Sequence, residues 1–343
     1  MRYLSARRLP GALLAILLLG GCAAPGPPPA PPPPLVWPPP PELARIRYVG
    51  SIAKPEDLEI RKSWMARIWE VIAGSRDARV LRPYGVAVDG EDRLYVADAA
   101  ARVVHVFDRK ARKYRAVDRI GRRSFRMPIG VAAAPDGTLY VSDSELRTVA
   151  VFGANGRLVR ELGKDLQRPS GIALSPKGDR LYVVDTLSHQ VAVFDPAGAW
   201  VGTIGERGTG SGELNFPTNV AVDRQGMVYV TDTMNFEIKI FTPDGRPVGR
   251  FGRLGDGSGD FARPKGVGVD SDGHIYVVEG LHDVVQIFDR QGRFLLGVGG
   301  TGTTPGNFWL PTGLHVDREN RIYVADSYNA RVQVFEYLAE ARR

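Results

Sequence analysis

The most regular candidate for chemistry in this chain is a set of six acidic residues, Asp98, Asp143, Asp185, Asp232, Glu279 and Asp326, each closing an apolar-Tyr-Val-x-acid run. Six carboxylates at equivalent places could ring a metal ion. An acid that recurs in every copy, however, more simply satisfies backbone N–H groups in its own turn, as Asp side chains readily do. Asp270-Ser271-Asp272-Gly273 and the stretch from Asp256 to Asp260 lack the twelve-residue calcium pattern with its terminal Glu. Of the five histidines, His105 and His315 sit in strand patterns and His274 in a hairpin turn, while His189 and His282 could share one face without a third ligand. The glycine-rich stretches Gly208 to Gly212 and Gly255-Asp256-Gly257 precede neither Gly-Lys-Ser/Thr nor a helix, so they read as connecting loops rather than phosphate cradles. No Gly-x-Ser-x-Gly elbow occurs. The residues thus nominate no catalytic set, metal site or cofactor.

The elements that must hold these residues are repeats. Pro83, Pro128, Pro169, Pro217, Pro264 and Pro311 are each followed two positions later by Gly85, Gly130, Gly171, Asn219, Gly266 or Gly313. Nine residues beyond every repeated acid stands Phe107, Phe152, Phe194, Phe241, Phe288 or Phe335. The units are built on four short segments rich in β-branched and aromatic residues, separated by turns such as Asp136-Gly137 and Asp244-Gly245, with the fourth missing from the last unit. Four antiparallel strands per repeat of this length predict an all-β, six-bladed propeller of four-stranded blades. The sixth unit has no fourth strand of its own. Residues 46 to 52, Ile46-Arg47-Tyr48-Val49-Gly50-Ser51-Ile52, match the fourth-strand type and are expected to close blade six by covering its open edge.

These units resemble NHL repeats, on the pattern Pro-x-Gly-apolar, Tyr-Val-x-Asp and a Val-x-Val-Phe strand, over about residues 81 to 337. The sixth copy, from Pro311-Thr312-Gly313 through Asp326 to Phe335, matches best, and the fifth departs with Glu279 in place of Asp. The resemblance implies a binding face, the top, where the chain enters the inner strand of each blade. Peptide-amidating lyases, which have similar repeats, carry zinc-binding histidines towards the channel, and no position after a repeat proline here holds one.

Strand direction then selects candidates around the top mouth. The positions after the prolines are Tyr84, Ile129, Ser170, Thr218, Lys265 and Thr312, and the loops after the acids add Arg102, Glu145, Arg147, His189, Asn235, His282, Tyr328 and Asn329. The ligand-binding set is read as Tyr84, Arg102, Ser170, His189, Thr218, Asn235, Lys265, His282, Thr312 and Tyr328. Hydroxyls, amides, a lysine and aromatics suit recognition of a protein, peptide or envelope polysaccharide. The alternative is a metal-dependent hydrolase or lyase resembling the lactonase and amidating-lyase propellers.

The chain has 343 residues, is 43% apolar and contains one cysteine, which excludes a disulfide framework and Cys-based metal clusters. Arg2, Arg7 and Arg8 precede an apolar run from Gly11 to Leu19, and Leu19-Gly20-Gly21-Cys22 resembles the lipobox of bacterial lipoproteins. Residues 1–21 are therefore expected to be a signal peptide and Cys22 a lipidated anchor in the cell envelope. Removing three arginines takes the formal charge from +7 to 7 − 3 = +4, and with export this argues against a nucleic-acid partner. Twelve of the 26 prolines lie between Pro25 and Pro41, so residues 22–43 read as a polyproline spacer. Residues 44–53 form the closing strand, 54–80 an insertion and 81–343 the propeller. Within the insertion Trp64, Met65, Ile68, Trp69 and Ile72 share one helical stripe between Ser63 and Gly74, predicting a helix at 63–73 over the top face.

Overall fold

A computed structural model describes residues 33–60 and 78–339. The leader, Cys22 and the stripe from Trp64 to Ile72 lie outside the described residues. Among those described, six antiparallel sheets form the six blades of a propeller, five of them four-stranded and one five-stranded. Blade one runs Pro83–Val88, Arg93–Asp98, Val103–Asp108 and Lys113–Val117, each strand pairing with the next. The other blades repeat this meander.

The alternation of polar and apolar residues is lost in the second strands because both faces of each blade are covered. All five residues of Leu139–Asp143 are buried, as are those of Leu181–Asp185 and Val228–Asp232. The core accordingly falls into separate clusters between neighbouring blades, for example Tyr95, Val106, Phe125, Val131, Val141 and Phe152 between blades one and two. At about 1.5–3 kcal/mol for each fully buried large apolar side chain, these inter-blade layers supply most of the cohesion.

Close approach of the inner strands explains the repeated Pro-x-Gly. A Cβ on Gly85 would lie 2.3 Å from the Ile129 carbonyl oxygen, one on Gly130 2.2 Å from that of Ser170, and one on Gly313 2.1 Å from that of Tyr84. Glycine here is a condition of closing the ring.

The expected latch is present. Strand Ile46–Ile52 pairs antiparallel with Arg331–Tyr337, so blade six joins residues from both ends of the domain. A short strand Val36–Trp37 adds to its outer edge, with Trp37 edge-on to Phe335 at 5.7 Å. This corrects the reading of residues 22–43 as spacer throughout: Val36 and Trp37 are docked on the propeller, because their backbone pairs with Ile46 and Arg47 and the Trp37 ring packs against Phe335. The ends of the insertion are also tied down. Ile60 and Val80 are buried beside Ile52, and the Val80 N–H donates to the Ala53 carbonyl at 2.8 Å.

Candidate functional site

The top mouth is built by the six repeated acids, and its construction starts from unsatisfied backbone donors. The two residues before each proline form a tight loop whose N–H groups need acceptors. Asp143 accepts from Arg126 at 2.7 Å and Met127 at 3.1 Å, Asp185 from Gln167 at 2.9 Å and Arg168 at 2.7 Å, and Glu279 from Ala262 at 3.0 Å and Arg263 at 2.7 Å. Asp98 holds Leu81 and Arg82 in the same way. Burial alone would raise the Asp98 carboxyl, but hydrogen bonds from His105 and from the Ala101 and Leu81 N–H groups bring it below the usual range. The carboxylates therefore face inward as anchors, as the sequence predicts, and fix where the pre-proline side chains project.

Those side chains are candidate residues that sequence reasoning missed. Arg82, Arg126, Arg168 and Arg263 stand one or two positions before their prolines and are exposed at the mouth. Three Arg-Pro pairs, at 82–83, 168–169 and 263–264, were the available signal. Arg82, Arg102, Arg126, Arg263 and Lys265 line a cavity of about 470 Å³ with Tyr84, Thr312, Tyr328 and, among the described residues, a single carboxylate, Glu145. Burial, with the charges of Arg263 and Arg168, pushes the Lys265 ammonium down to about 8 against the opposing pull of Glu279. Burial also raises the Tyr84 phenol, outweighing the same two arginines. At one edge Arg82 lies over the Tyr328 ring at 5.0 Å, and Trp309 sits 6.0 Å from Tyr328, both aromatics about half exposed.

The candidate set divides in two. Tyr84, Arg102, Lys265, Thr312 and Tyr328 meet at this cavity. Ser170, His189, Thr218, Asn235 and His282 are not among its lining, and four of them are engaged in holding the fold. Ser170 is buried, with its hydroxyl 2.8 Å from that of Thr186 and 3.1 Å from the Thr218 carbonyl. The Thr218 hydroxyl pairs with that of Thr233 at 2.7 Å. His189 is buried with left-handed backbone, and its Nδ1 accepts the Phe216 N–H at 3.2 Å, tying blade three to the pre-proline loop of blade four. Asn235 donates to Asp232 at 2.7 Å and to the Gly208 carbonyl at 2.9 Å, and Asn329 does the same with Asp326 and Gly302. His282 is partly exposed on its loop. Even at the cavity, the Thr312 hydroxyl donates to the Pro83 carbonyl at 3.1 Å. Ile129 is buried, while Glu145 and Arg147 are exposed.

The opposite end of the channel opens into a larger cavity of about 880 Å³, lined by the inner strands, by His315 and Asn219, by the turn residues Asp89, Asp223 and Asp317, and by the cations Lys110, Arg224, Arg318 and Arg321. Burial pushes His315 down to about 4, so it stays neutral at ordinary pH. The three acids belong to a second repeated motif that the sequence reading passed over. Asp317, for instance, accepts from the Glu319 and Arg321 N–H groups at 3.0 and 2.9 Å and from the Tyr323 hydroxyl at 3.1 Å. Among the described residues no three of His, Cys, Asp or Glu are placed to hold a metal ion.

Comparison with known proteins gives the same architecture. Residues 308–335 match the NHL repeat model, and residues 130–253 match the SMP-30/Gluconolactonase/LRE-like region. No curated protein matches by sequence. Among solved structures, an auxiliary nutrient binding protein from Bacteroides thetaiotaomicron is 15% identical with a TM-score of 0.60, covering 76% of this chain and 70% of its own. A gluconolactonase, XC5397 from Xanthomonas campestris, is 19% identical with a TM-score of 0.58, covering 76% and 87%. A virginiamycin B lyase from Staphylococcus aureus is 13% identical with a TM-score of 0.55, covering 76% and 96%. At such identities the likeness is one of fold.

Proposed function

We propose that this six-bladed propeller, which carries an NHL repeat, is a binding module of the cell envelope that receives its ligand at the top mouth. The observation that carries the reading is the convergence of side chains from several pre-proline and post-acid loops on one cavity, among them cations that form no ion pair with any described residue. A rigid ring presenting different side chains at equivalent positions is suited to recognition. The leader and Cys22 support anchoring through lipid, which would hold the mouth at an envelope surface. The test uses the mature protein against separated protein and polysaccharide fractions of the envelope. The paired change Lys265→Glu and Tyr84→Ala is expected to abolish capture while lowering the melting temperature by no more than a few degrees. Retained capture would move the site to the blade flanks or the underside. Replacing Cys22 by Ser is expected to prevent incorporation of labelled palmitate and release the protein from membranes.

The second reading, a metal-dependent hydrolase or lyase, is favoured by the match of residues 130–253 to the SMP-30/Gluconolactonase/LRE-like region. The residues present do not fit the divalent ion it needs. Carboxylates nearest the mouth are turned inward onto backbone N–H groups, and the cavity itself offers mainly cations, which repel a metal. Metal analysis of the purified protein separates the readings: one tightly held ion per chain would favour the enzyme.

A further inference from the structure

Proteins disperse like charges unless something compensates them, because each added cation near a partly buried one costs free energy. Here Arg82, Arg102, Arg126, Arg263 and Lys265 share one cavity, and Arg168 is near enough for its charge to bear on both Tyr84 and Lys265. Among the described residues, Glu145 is the single carboxylate in the lining. Glu279, the other acid acting on Lys265, has its oxygens on the Ala262 and Arg263 N–H groups. Burial lowers the affinity of Lys265 for its proton, and the neighbouring charges of Arg263 and Arg168 lower it further. None of the six cationic groups pairs with an acidic side chain among the described residues. Among the described residues, the complement that this arrangement lacks is an anion.

The remaining groups narrow its class. The hydroxyls of Ser170, Thr218 and Thr312 are engaged within or between blades, so what faces the ligand consists mainly of guanidinium and ammonium donors. A peptide backbone offers as many donors as acceptors and would leave its N–H groups without partners here. A sugar acid presents carboxylates, ring oxygens and hydroxyls, and its carboxylate matches the planar fork of an arginine. The half-exposed Trp309 and Tyr328 beside the cationic cavity offer apolar faces against which a sugar ring can lie.

We propose that the top mouth binds the carboxylated sugars of an acidic polysaccharide, with Arg82, Arg263 and Lys265 holding the carboxylate and Tyr328 and Trp309 supporting the ring. This rests on the reading of the top mouth as the binding surface and adds the ligand class. The full mature chain is titrated with a short oligogalacturonate, with the same oligomer fully methyl-esterified, with a polyglutamate peptide and with an oligothymidylate. Binding of the oligogalacturonate is expected, with loss on esterification and at least about tenfold weaker binding of the peptide and the nucleotide. Arg263→Gln and Lys265→Gln are each expected to weaken binding about tenfold, and the exposed Arg168→Gln less, with melting temperatures checked for every variant. Equal binding of the ester, equal or tighter binding of the peptide or nucleotide, or no binding of the oligogalacturonate overturns the acidic-sugar assignment. That result leaves the mouth reading intact if Lys265→Glu with Tyr84→Ala still abolishes capture of the envelope partner. Oligogalacturonate binding that all mouth variants leave unchanged overturns both.

Discussion

Lys239 is wholly buried, 2.9 Å from Asp232, and its ammonium also donates to the carbonyls of Gly210 and Glu213. It pins the glycine-rich loop of blade four to its third strand, a task that Gln286 and Gln333 perform in blades five and six. Lys239→Ala would strand a buried carboxylate and is expected to cost about 3–5 kcal/mol in chemical denaturation. A loss of a few tenths would mean that water reaches Asp232. The His274–Asp270 pair, 2.8 Å apart, gives a pH signature. The hydrogen bond to Asp270 raises the His274 pKa above its ordinary value, so its contribution is full below the unfolded histidine range and is lost as pH rises through the raised value. The stability gap between the wild type and His274→Gln should therefore shrink on going from mildly acidic to mildly alkaline buffer; a gap that widens would contradict the pairing. At the mouth, Lys265 faces Arg82, Arg102, Arg126, Arg168, Arg263, Tyr84, Glu145 and Glu279, and loses its charge near pH 8. Affinity for a carboxylate ligand should fall as pH rises through that value, and Lys265→Gln should remove that step from the profile.

At the scale of elements, the closing strand and the inner-strand glycines can be tested separately. Deleting residues 44–53 removes Ile46 and Ile52 from the core and exposes the edge of Arg331–Tyr337. From the apolar burial alone this is expected to lower the melting temperature by about 10 °C or more. Normal melting would refute the latch. Gly313→Ala, which forces a Cβ against the Tyr84 carbonyl, is expected to cost about 1–3 kcal/mol, whereas Gly202→Ala meets nothing within 4 Å and should be close to neutral. The repeats were legible because proline, acid and phenylalanine recur at fixed offsets, which only a repeated sheet explains. The Val36–Trp37 strand was hidden by the proline-rich composition around it, since its docking depends on the distant Phe335. The mouth was half legible: following the residue after each proline found Tyr84 and Lys265, while the arginines before the prolines depend on how Asp98, Asp185 and Glu279 fold the loop back. Ser170, His189 and Asn235 lie on the upper face as expected, but the ties between blades that engage their polar atoms leave no trace in a single repeat.

For the whole molecule, the ring gives two chemically different ends to one channel. The upper mouth is cationic and varied from blade to blade, and the lower one carries the Asp89, Asp223 and Asp317 turns, whose carboxylates are held by their own backbone and tyrosines. The lower cavity also has cations in its lining, Lys110, Arg224, Arg318 and Arg321, but these stand among acids, with Lys110 paired to Glu91 and Arg321 to Asp92 and Asp317, so a ligand that needs positive charge is expected at the upper end of the channel. Hydrogen exchange of the full chain with and without a short oligogalacturonate reads this most directly. The account expects slowed exchange in the loops around residues 81–84, 126–127, 167–170 and 263–265, with the lower turns around 89–93 and 317–321 unchanged. Protection confined to the lower turns, or none at the upper loops under saturating ligand, would contradict it.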